Sequence, residues 1–186
     1  MAADTFPRLI SLACHDLRTP LATIFGFART LNRMEQQDAR TSRFLGMIEE
    51  ASAQMTELLD ELAAVARIQD GRWEPALREA DTLELAAVED PRVAADGRGE
   101  TIETDVDAVR RALRAFAVAA ARFGPVEQVT WRVEGRVLEL SPVTPDAAPV
   151  VSGETIRDLG SLVGRAVIEA LGGSCALEAE TFRVRL

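Results

Sequence analysis

The single histidine of this chain stands in a short polar stretch whose residue types could support nucleophilic chemistry. His15 is followed directly by Asp16, and Thr19 lies four residues farther along the chain than the histidine. A neutral imidazole is a good nucleophile near pH 7. A neighbouring carboxylate can accept a hydrogen bond from the other ring nitrogen, orient the ring and stabilise the cation that forms on attack. The pattern therefore predicts a nucleophilic site built on His15 and Asp16.

A helix is expected to position this histidine, because the apolar residues around it recur at alternating steps of three and four. Such spacing is typical of one buried helical stripe. His15 lies two residues from both Ala13 and Leu17, so its side chain should project roughly 160–200° from the stripe, toward water. Pro20 should bend the helix just beyond the histidine, at a cost of ~3 kcal/mol. The stripe comprises Phe6, Ile10, Ala13, Leu17, Leu21, Ile24, Ala28 and Leu31.

A second apolar stripe predicts an antiparallel partner helix. A turn is predicted over residues 34–43, and Asp70-Gly71 should end the second helix. One hairpin cannot cover both of its apolar faces, so we expect two copies to form a dimeric four-helix bundle. The alternative is that the C-terminal domain covers the hairpin. The second stripe comprises Phe44, Leu45, Ile48, Met55, Leu58, Leu62, Val65 and Ile68.

Beyond about Pro75 the pattern changes to shorter alternating segments and two helical ones. The order of helix, strand pair, helix and strand pair predicts an α/β sandwich. We therefore expect an α+β fold, with a helical hairpin over residues 1–73 and an α/β domain over residues 74–186. The elements predicted in the second domain are helices over Asp107–Phe123 and Glu154–Leu171, a hairpin over residues 126–140 turning at Glu134-Gly135-Arg136, and two strands within residues 175–186.

Composition argues against several classes of function. The net charge is −9 and every positive side chain is an arginine, without a basic stripe, which argues against nucleic acid as a partner. Cys14, Cys175 and one histidine cannot fill a four-ligand zinc site, so no metal is expected. The cysteines are interpreted as small buried residues of a reducing compartment. No apolar run approaches the ~20 residues of a membrane span, so we expect a soluble cytoplasmic protein.

Residues 15–21, HDLRTPL, resemble the phosphoacceptor box of bacterial sensor histidine kinases, which usually reads H-[DE]-L-R-T-P-L. All seven positions match, and the resemblance to this HisKA-type dimerisation hairpin covers about residues 5–75. It implies that His15 is the phosphorylated residue and that Asp16 assists it. It also implies that Thr19 positions water for dephosphorylation of a partner regulator. We expect these three residues to be catalytic.

The exposed helical face beside His15 is small and polar, so another protein could approach it closely. The resemblance implies that this face docks the receiver domain of a response regulator. Its predicted docking residues are Ser11, Arg18, Ala22 and Gly26.

The second half resembles the ATP-binding, GHKL-like domain that follows this hairpin in histidine kinases. Residues 160–173, GSLVGRAVIEALGG, resemble a glycine-flanked helix of that domain, and residues 109–125 resemble its N-box helix. Ala119 stands where the magnesium-binding asparagine is expected, and Ala115 stands in place of a second asparagine. Alanine has no oxygen with which to hold Mg²⁺.

Other nucleotide contacts are also replaced. Pro142 lies near the position of the aspartate that holds adenine, and the glycine-rich lid is shortened. Asp158 replaces a glycine of the phosphate-binding motif, of which Gly160 is retained. The resemblance therefore indicates a degenerate ATPase-like domain that binds no nucleotide cofactor.

An acceptor hairpin joined to such a domain resembles the dimeric histidine phosphotransferases of bacterial phosphorelays, such as those of the ChpT type. It implies that His15 takes a phosphoryl group from the aspartyl phosphate of one receiver domain and donates it to another. The receiver would supply Mg²⁺ and the acidic pocket. The expected partners are response-regulator receiver domains and a second copy of the chain, without nucleic acid or membrane.

Three other functions stay open on the sequence. The first is a divergent sensor histidine kinase that still uses ATP. The second is a non-catalytic regulator or phosphatase of a response regulator, in which Thr19 rather than His15 would matter. The third is an α/β adaptor in which the histidine motif is coincidental.

Overall fold

The computed structural model describes residues 5–33, 38–155 and 157–186 of the chain. It divides into two compact units, Met1–Trp73 and Glu74–Leu186. The first unit is a helical hairpin and the second combines helices with β-sheet. The predicted α+β class, with a hairpin followed by an α/β sandwich, is confirmed.

Two long helices form the first unit. Helix α1 spans Thr5–Asn32 and contains Pro20, and helix α2 spans Ala39–Gln69. The Asp38 carboxylate caps α2 by accepting a 2.8 Å hydrogen bond from the Thr41 amide. That backbone hydrogen bond lowers the pKa of Asp38 below its ordinary value.

The limits of α2 test the predicted turn and stop. The turn predicted over residues 34–43 is wrong at its end, because residues 39–43 are already helical. Residues 34–37 lie outside the described part of the chain. The predicted stop is confirmed, since α2 ends at Gln69 and Gly71 adopts the left-handed φ of 65°.

The side chains buried in the hairpin recur every seven residues along both helices. Cys14, Leu21 and Leu59 form a buried cluster against which Ile10 and Ala63 pack. A seven-residue repeat is the pattern with which helices of a bundle keep one seam against a neighbour. We call this repeat the buried seam; it comprises Pro7, Cys14, Leu21 and Ala28 on α1 and Leu45, Ser52, Leu59 and Ala66 on α2.

The apolar stripe predicted on α1 consists of one buried row and one exposed row of side chains. Leu21 and Ala28 are buried, but Leu17 and Ile24 are 55% and 52% exposed. Cys14, which the predicted stripe omits, is only 3% exposed; the interpretation of the cysteines as buried is confirmed for Cys14, whereas Cys175 is half-buried. Alternating steps of three and four visit two neighbouring heptad positions, and only one of them meets α2. The side chain of Phe6 lies outside the described part. The second position and the apolar positions beside it form an exposed apolar face on the two helices: Leu17, Ile24, Phe27, Leu31, Phe44, Met47, Ile48, Met55, Leu58 and Leu62.

A five-stranded sheet forms the frame of the second unit. Its strand order is β2-β4-β5-β7-β6, with β2 and β4 parallel and the other pairs antiparallel, while β1 and β3 form a separate antiparallel pair. The elements are β1 (Leu77–Asp81), α3 (Thr82–Ala86), β2 (Val93–Gly99), β3 (Thr101–Asp105), α4 (Val106–Phe123), β4 (Val129–Gly135), β5 (Val137–Ser141), α5 (Ala148–Val151), α6 (Leu159–Ala170), β6 (Ser174–Glu178) and β7 (Thr181–Arg185).

The core of this unit lies where α4 packs with the sheet and with α6. The rings of Phe116 on α4 and Phe182 on β7 lie 4.8 Å apart, and both are fully buried. Helix α6 approaches α4 closely at Gly164, where an added β-carbon would stand 3.1 Å from the Cα of Ala112 and 3.1 Å from the Phe116 ring. This helix contact therefore depends on a glycine.

Several predicted elements of the second unit are confirmed. They are α4, the hairpin of β4 and β5 with Gly135 at φ 61°, and the closing strands β6 and β7. The start predicted for α6 at Glu154 is wrong. The helix begins at Leu159, because the Asp158 carboxylate caps it by accepting a 2.8 Å hydrogen bond from the Ser161 amide.

Within the described part of the chain, neither long helix of the hairpin nor any other helix is apolar enough over a sufficient length to cross a membrane.

A Gly164→Val variant should destabilise the second unit by about 1–3 kcal/mol, because its added methyl groups meet Ala112 and Phe116 in a packed core. The measurement is urea unfolding followed by the fluorescence of Trp131, which is fully buried, in a Trp73→Phe background. Ala170→Val is the control, since it adds two methyl groups at an exposed position of α6. Equal stability of the two variants would contradict the close α4–α6 contact.

Candidate functional site

His15 projects into solvent from the outer side of α1. Its side chain is 77% exposed, whereas its neighbour Cys14 is 3% exposed and packs in the buried seam. Successive residues of a helix point about 100° apart, so burying Cys14 turns His15 outward. The structure thus agrees with the outward direction that the sequence predicts.

One ring nitrogen of His15 already has a partner. Nδ1 lies 3.2 Å from Oδ1 of Asp16, whose side chain is 67% exposed. When Nδ1 carries the proton and donates it to this carboxylate, Nε2 keeps its lone pair and faces solvent. The carboxylate then both fixes the tautomer and stabilises positive charge on the ring. This arrangement suits the imidazole to nucleophilic attack.

A shallow depression of about 450 Å³ lies beside the histidine. It is lined by His15, Arg18, Thr19, Ala22 and Thr23, which share one face of α1. The Thr23 hydroxyl donates a 3.0 Å hydrogen bond to the carbonyl of Thr19. Side chains from successive turns therefore surround an open approach to the imidazole, and Thr19 lies within it.

The second helix reaches this site through Asp60. Arg18 donates a 2.5 Å hydrogen bond from Nη2 to Oδ1 of Asp60, and the two side chains are 44% and 62% exposed. This ion pair crosses from α1 to α2 next to the depression. Asp60 was not predicted as a site residue. The sequence offers one sign of its role: Asp60 directly follows Leu59, a buried residue of α2, just as His15 directly follows the buried Cys14 on α1.

The four predicted docking residues differ in their exposure and in their distance along α1 from the depression. Arg18 and Ala22 line the depression, and Gly26 is exposed on the same helix, where an added β-carbon would meet open space beyond the helix's own neighbouring residues. Ser11 is half-buried, and its Oγ is shielded from solvent without a hydrogen-bond partner. The structure thus gathers two of the four around His15 and turns the Ser11 hydroxyl away from solvent.

The acidic residues and cysteines of the described chain bear on two other kinds of chemistry, metal binding and thiol reactivity. Among the described residues, no group of three or more histidine, cysteine, aspartate or glutamate side chains could hold a metal ion. Both cysteines are free, and burial raises the pKa of Cys175 to about 12, so its thiol stays protonated at neutral pH.

The hairpin matches a known family of signalling domains. Residues 8–71 match the His Kinase A (phospho-acceptor) domain. Over 91 residues the chain is 38% identical to sensor histidine kinase TrcS of Mycobacterium tuberculosis (strain ATCC 25618 / H37Rv), a match that covers 47% of this chain and 18% of TrcS. The match therefore spans less than a fifth of that relative.

Solved structures share the fold of both units. Full-length ShkA, crystallised in complex with AMPPNP, has a TM-score of 0.69 and 22% identity, covering 96% of this chain and 44% of ShkA. The Acinetobacter baumannii histidine kinase AdeS has a TM-score of 0.57 and 16% identity, covering 92% of this chain and 96% of that one. At these identities the likeness shows fold alone: a helical hairpin followed by a GHKL-like α/β domain.

The exposed His15, paired with Asp16, lies inside the stretch that matches the phospho-acceptor domain. The helical hairpin of this chain is therefore similar to the His Kinase A (phospho-acceptor) domain over residues 8–71.

Proposed function

We propose that this protein is a histidine phosphotransferase that carries a phosphoryl group between receiver-domain aspartates on His15. The observation that carries the proposal is the exposed imidazole, held through Nδ1 by Asp16 and open at Nε2. In the forward step Nε2 forms a bond to phosphorus, the oxygen–phosphorus bond of the aspartyl phosphate breaks, and the aspartate leaves as a carboxylate. The reverse step delivers the group to a second receiver.

The receiver supplies the rest of the site. Phosphoryl transfer depends mainly on in-line positioning and on charge stabilisation. The receiver's acidic pocket and its Mg²⁺ provide the charge stabilisation on one side. On this chain, the depression beside His15 leaves room for the receiver to approach. Thr19 and Ala22 line the depression, and Gly26 is exposed farther along α1. The protein then needs no nucleotide of its own.

The N-box-like helix α4 supports transfer without ATP. Ala119 is fully buried, and it lies seven residues after Ala112 and three after Phe116, on the helix face that meets Gly164 of α6. A magnesium-holding asparagine would need an open, polar surface at this position. The residues present therefore do not fit Mg-ATP, and no step of the proposed reaction passes through it.

The start of α6 supports the same conclusion. A helix N-terminus attracts phosphate because its first amides have no partner within the helix. Here the carboxylate of Asp158 accepts hydrogen bonds from the Ser161 amide at 2.8 Å and from the Ser161 hydroxyl at 3.0 Å. The chain's own negative charge thus occupies the place where the kinase motif would receive a phosphate.

The exposed apolar face of the hairpin supports the proposed dimer. Pairing two copies through this face would complete a four-helix bundle in which both heptad positions are covered. Leaving side chains such as Leu17, Ile24 and Met55 more than half exposed has a cost in water. A second copy presents the same face and satisfies the repeat on both sides.

A receiver domain carrying labelled aspartyl phosphate should label the wild-type protein within minutes, because His15 is exposed and needs no activation by nucleotide. The experiment incubates the chain with a panel of purified receivers phosphorylated by labelled acetyl phosphate, and follows the label by gel autoradiography. His15→Gln should lose the label completely, while Glu57→Gln on the surface of α2 should keep it. Wild type that stays unlabelled by every receiver would count against the proposal.

Mg-ATP should neither bind nor label this protein. Millimolar Mg-ATP should produce no heat of binding in calorimetry, and γ-labelled ATP alone should transfer no label to His15, because the carboxylate of Asp158 and the buried Ala119 stand at the nucleotide contacts. Saturable binding or self-labelling would favour a divergent histidine kinase. Labelling by neither ATP nor receivers, with receiver binding retained in His15→Gln, would favour the non-catalytic regulator.

Met55→Glu should convert a dimer to a monomer, because it places a charge in the middle of the exposed apolar face. Sedimentation equilibrium should show the wild type at twice the chain mass of 20.2 kDa and the variant near the single mass. Gln54→Glu, at the neighbouring exposed position, is the matched control and should stay dimeric. A monomeric wild type would favour the alternative in which the C-terminal domain covers the hairpin.

A further inference from the structure

We propose that Asp60 is a positioning residue for phosphoryl transfer at His15. It holds the guanidinium of Arg18 beside the imidazole, where the guanidinium stabilises the phosphoryl group as it moves. The inference deepens the proposed function and rests on it for its biological role, although its chemistry concerns His15, Arg18 and Asp60 alone.

The geometry brings the three residues to one place. Arg18 lies three residues after His15, so the two side chains share a helical face and are neighbours across one turn. Both line the depression from which the phosphoryl donor approaches. Asp60 reaches the same arginine from α2, at 2.5 Å from Nη2 to Oδ1.

The buried seam fixes the positions of these three residues, because it sets the register of α1 against α2. Leu59, directly before Asp60, packs with Cys14 and Leu21. Cys14 directly precedes His15, so the same buried contact that turns the histidine outward also fixes the position of Asp60 along α2 relative to α1. The ion pair is then a consequence of the helix register, and it places a carboxylate where Arg18 can reach it.

A guanidinium suits this task because its donors are arranged as a rigid planar fork. Asp60 occupies one of the Arg18 nitrogens, and the other N–H groups stay available. During transfer the phosphoryl group carries negative charge on its equatorial oxygens, which these N–H groups can approach as charge-assisted donors. Without Asp60 the long arginine side chain is free to point into water, and its ordering must take place during the reaction.

The pair is a poor candidate for a purely stabilising contact. Both side chains are substantially exposed, and exposed ion pairs contribute little to folding because water and salt screen them. Removing Asp60 should therefore leave the hairpin folded. Its effect should appear in the chemistry at His15.

The test uses phosphoramidate as the phosphoryl donor, so that no partner protein is needed. Nε2 forms a bond to phosphorus, the donor's phosphorus–nitrogen bond breaks, and ammonia leaves after taking a proton from solvent. Because His15 is the chain's single histidine, intact mass spectrometry reports phosphorylation at one defined site. The quantity measured is the second-order rate constant of the full-length chain, with thermal unfolding by circular dichroism recorded on every variant.

Arg18→Ala and Asp60→Asn should each slow phosphorylation about tenfold, as expected for loss of one charged donor or of its orientation. The double variant Arg18→Ala/Asp60→Asn should be no slower than Arg18→Ala, because Asp60 acts only through the arginine. Asp60→Glu should recover part of the rate. Glu57→Gln, which removes one negative charge from the exposed surface of α2, should react at the wild-type rate.

The reversed pair Arg18→Asp/Asp60→Arg separates positioning from simple bridging. It restores opposite charges between the helices but leaves a carboxylate beside His15, so unfolding should match the wild type while the rate stays low. An unaffected Asp60→Asn or Arg18→Ala, additive losses in the double variant, or full recovery in the reversed pair would each overturn the proposal. Failure of every receiver to label the wild type would refute the phosphotransferase function and leave this result intact.

Discussion

The packing of Cys14 and Leu21 against Leu59 is the contact on which the arrangement of side chains around His15 depends. Because the buried residues recur every seven positions, they fix both the rotation of α1 and its register against α2. His15 follows a buried seam residue and is exposed as a result, and Asp60 follows another. A one-residue slip of either helix would bury the imidazole or carry Asp60 away from Arg18, so the core of the hairpin determines the surface around His15.

The sequence predicted the exposure of His15 and the end of α2, but it could not separate the buried residues of the apolar stripe on α1 from the exposed ones. Steps of three and four describe one broad face, and nothing in the spacing says that Leu17 and Ile24 lie on the exposed part while Cys14 is buried. Which of the α1 residues are buried depends on their tertiary contacts with α2. Asp60 escaped prediction for the same reason, because its partner Arg18 lies 42 residues away in the chain.

In the second unit, local signals sufficed where each element carried its own pattern. The hairpin of β4 and β5 turns at Gly135, and α4 shows a helical repeat, so both were predicted. Strand β2, VAADGRG, has no alternation of buried and exposed residues, and it is defined by parallel pairing with β4 more than thirty residues later. The sequence assigns no elements to residues 77–105, because such pairing is not a local property.

The close contact of α4 with α6 links the stability of this unit to the proposed absence of nucleotide binding. Gly164 allows α6 to approach Ala112 and Phe116, and Ala119 continues the same face of α4 under full burial. A magnesium ligand at position 119 would need water or metal around it, and a buried amide without a partner would cost several times what a methyl group gains. Dense packing at this face and an open nucleotide pocket therefore exclude each other. Close packing of α4 against α6 at this face is what supports the proposal that the phosphoryl group reaches His15 from a partner protein.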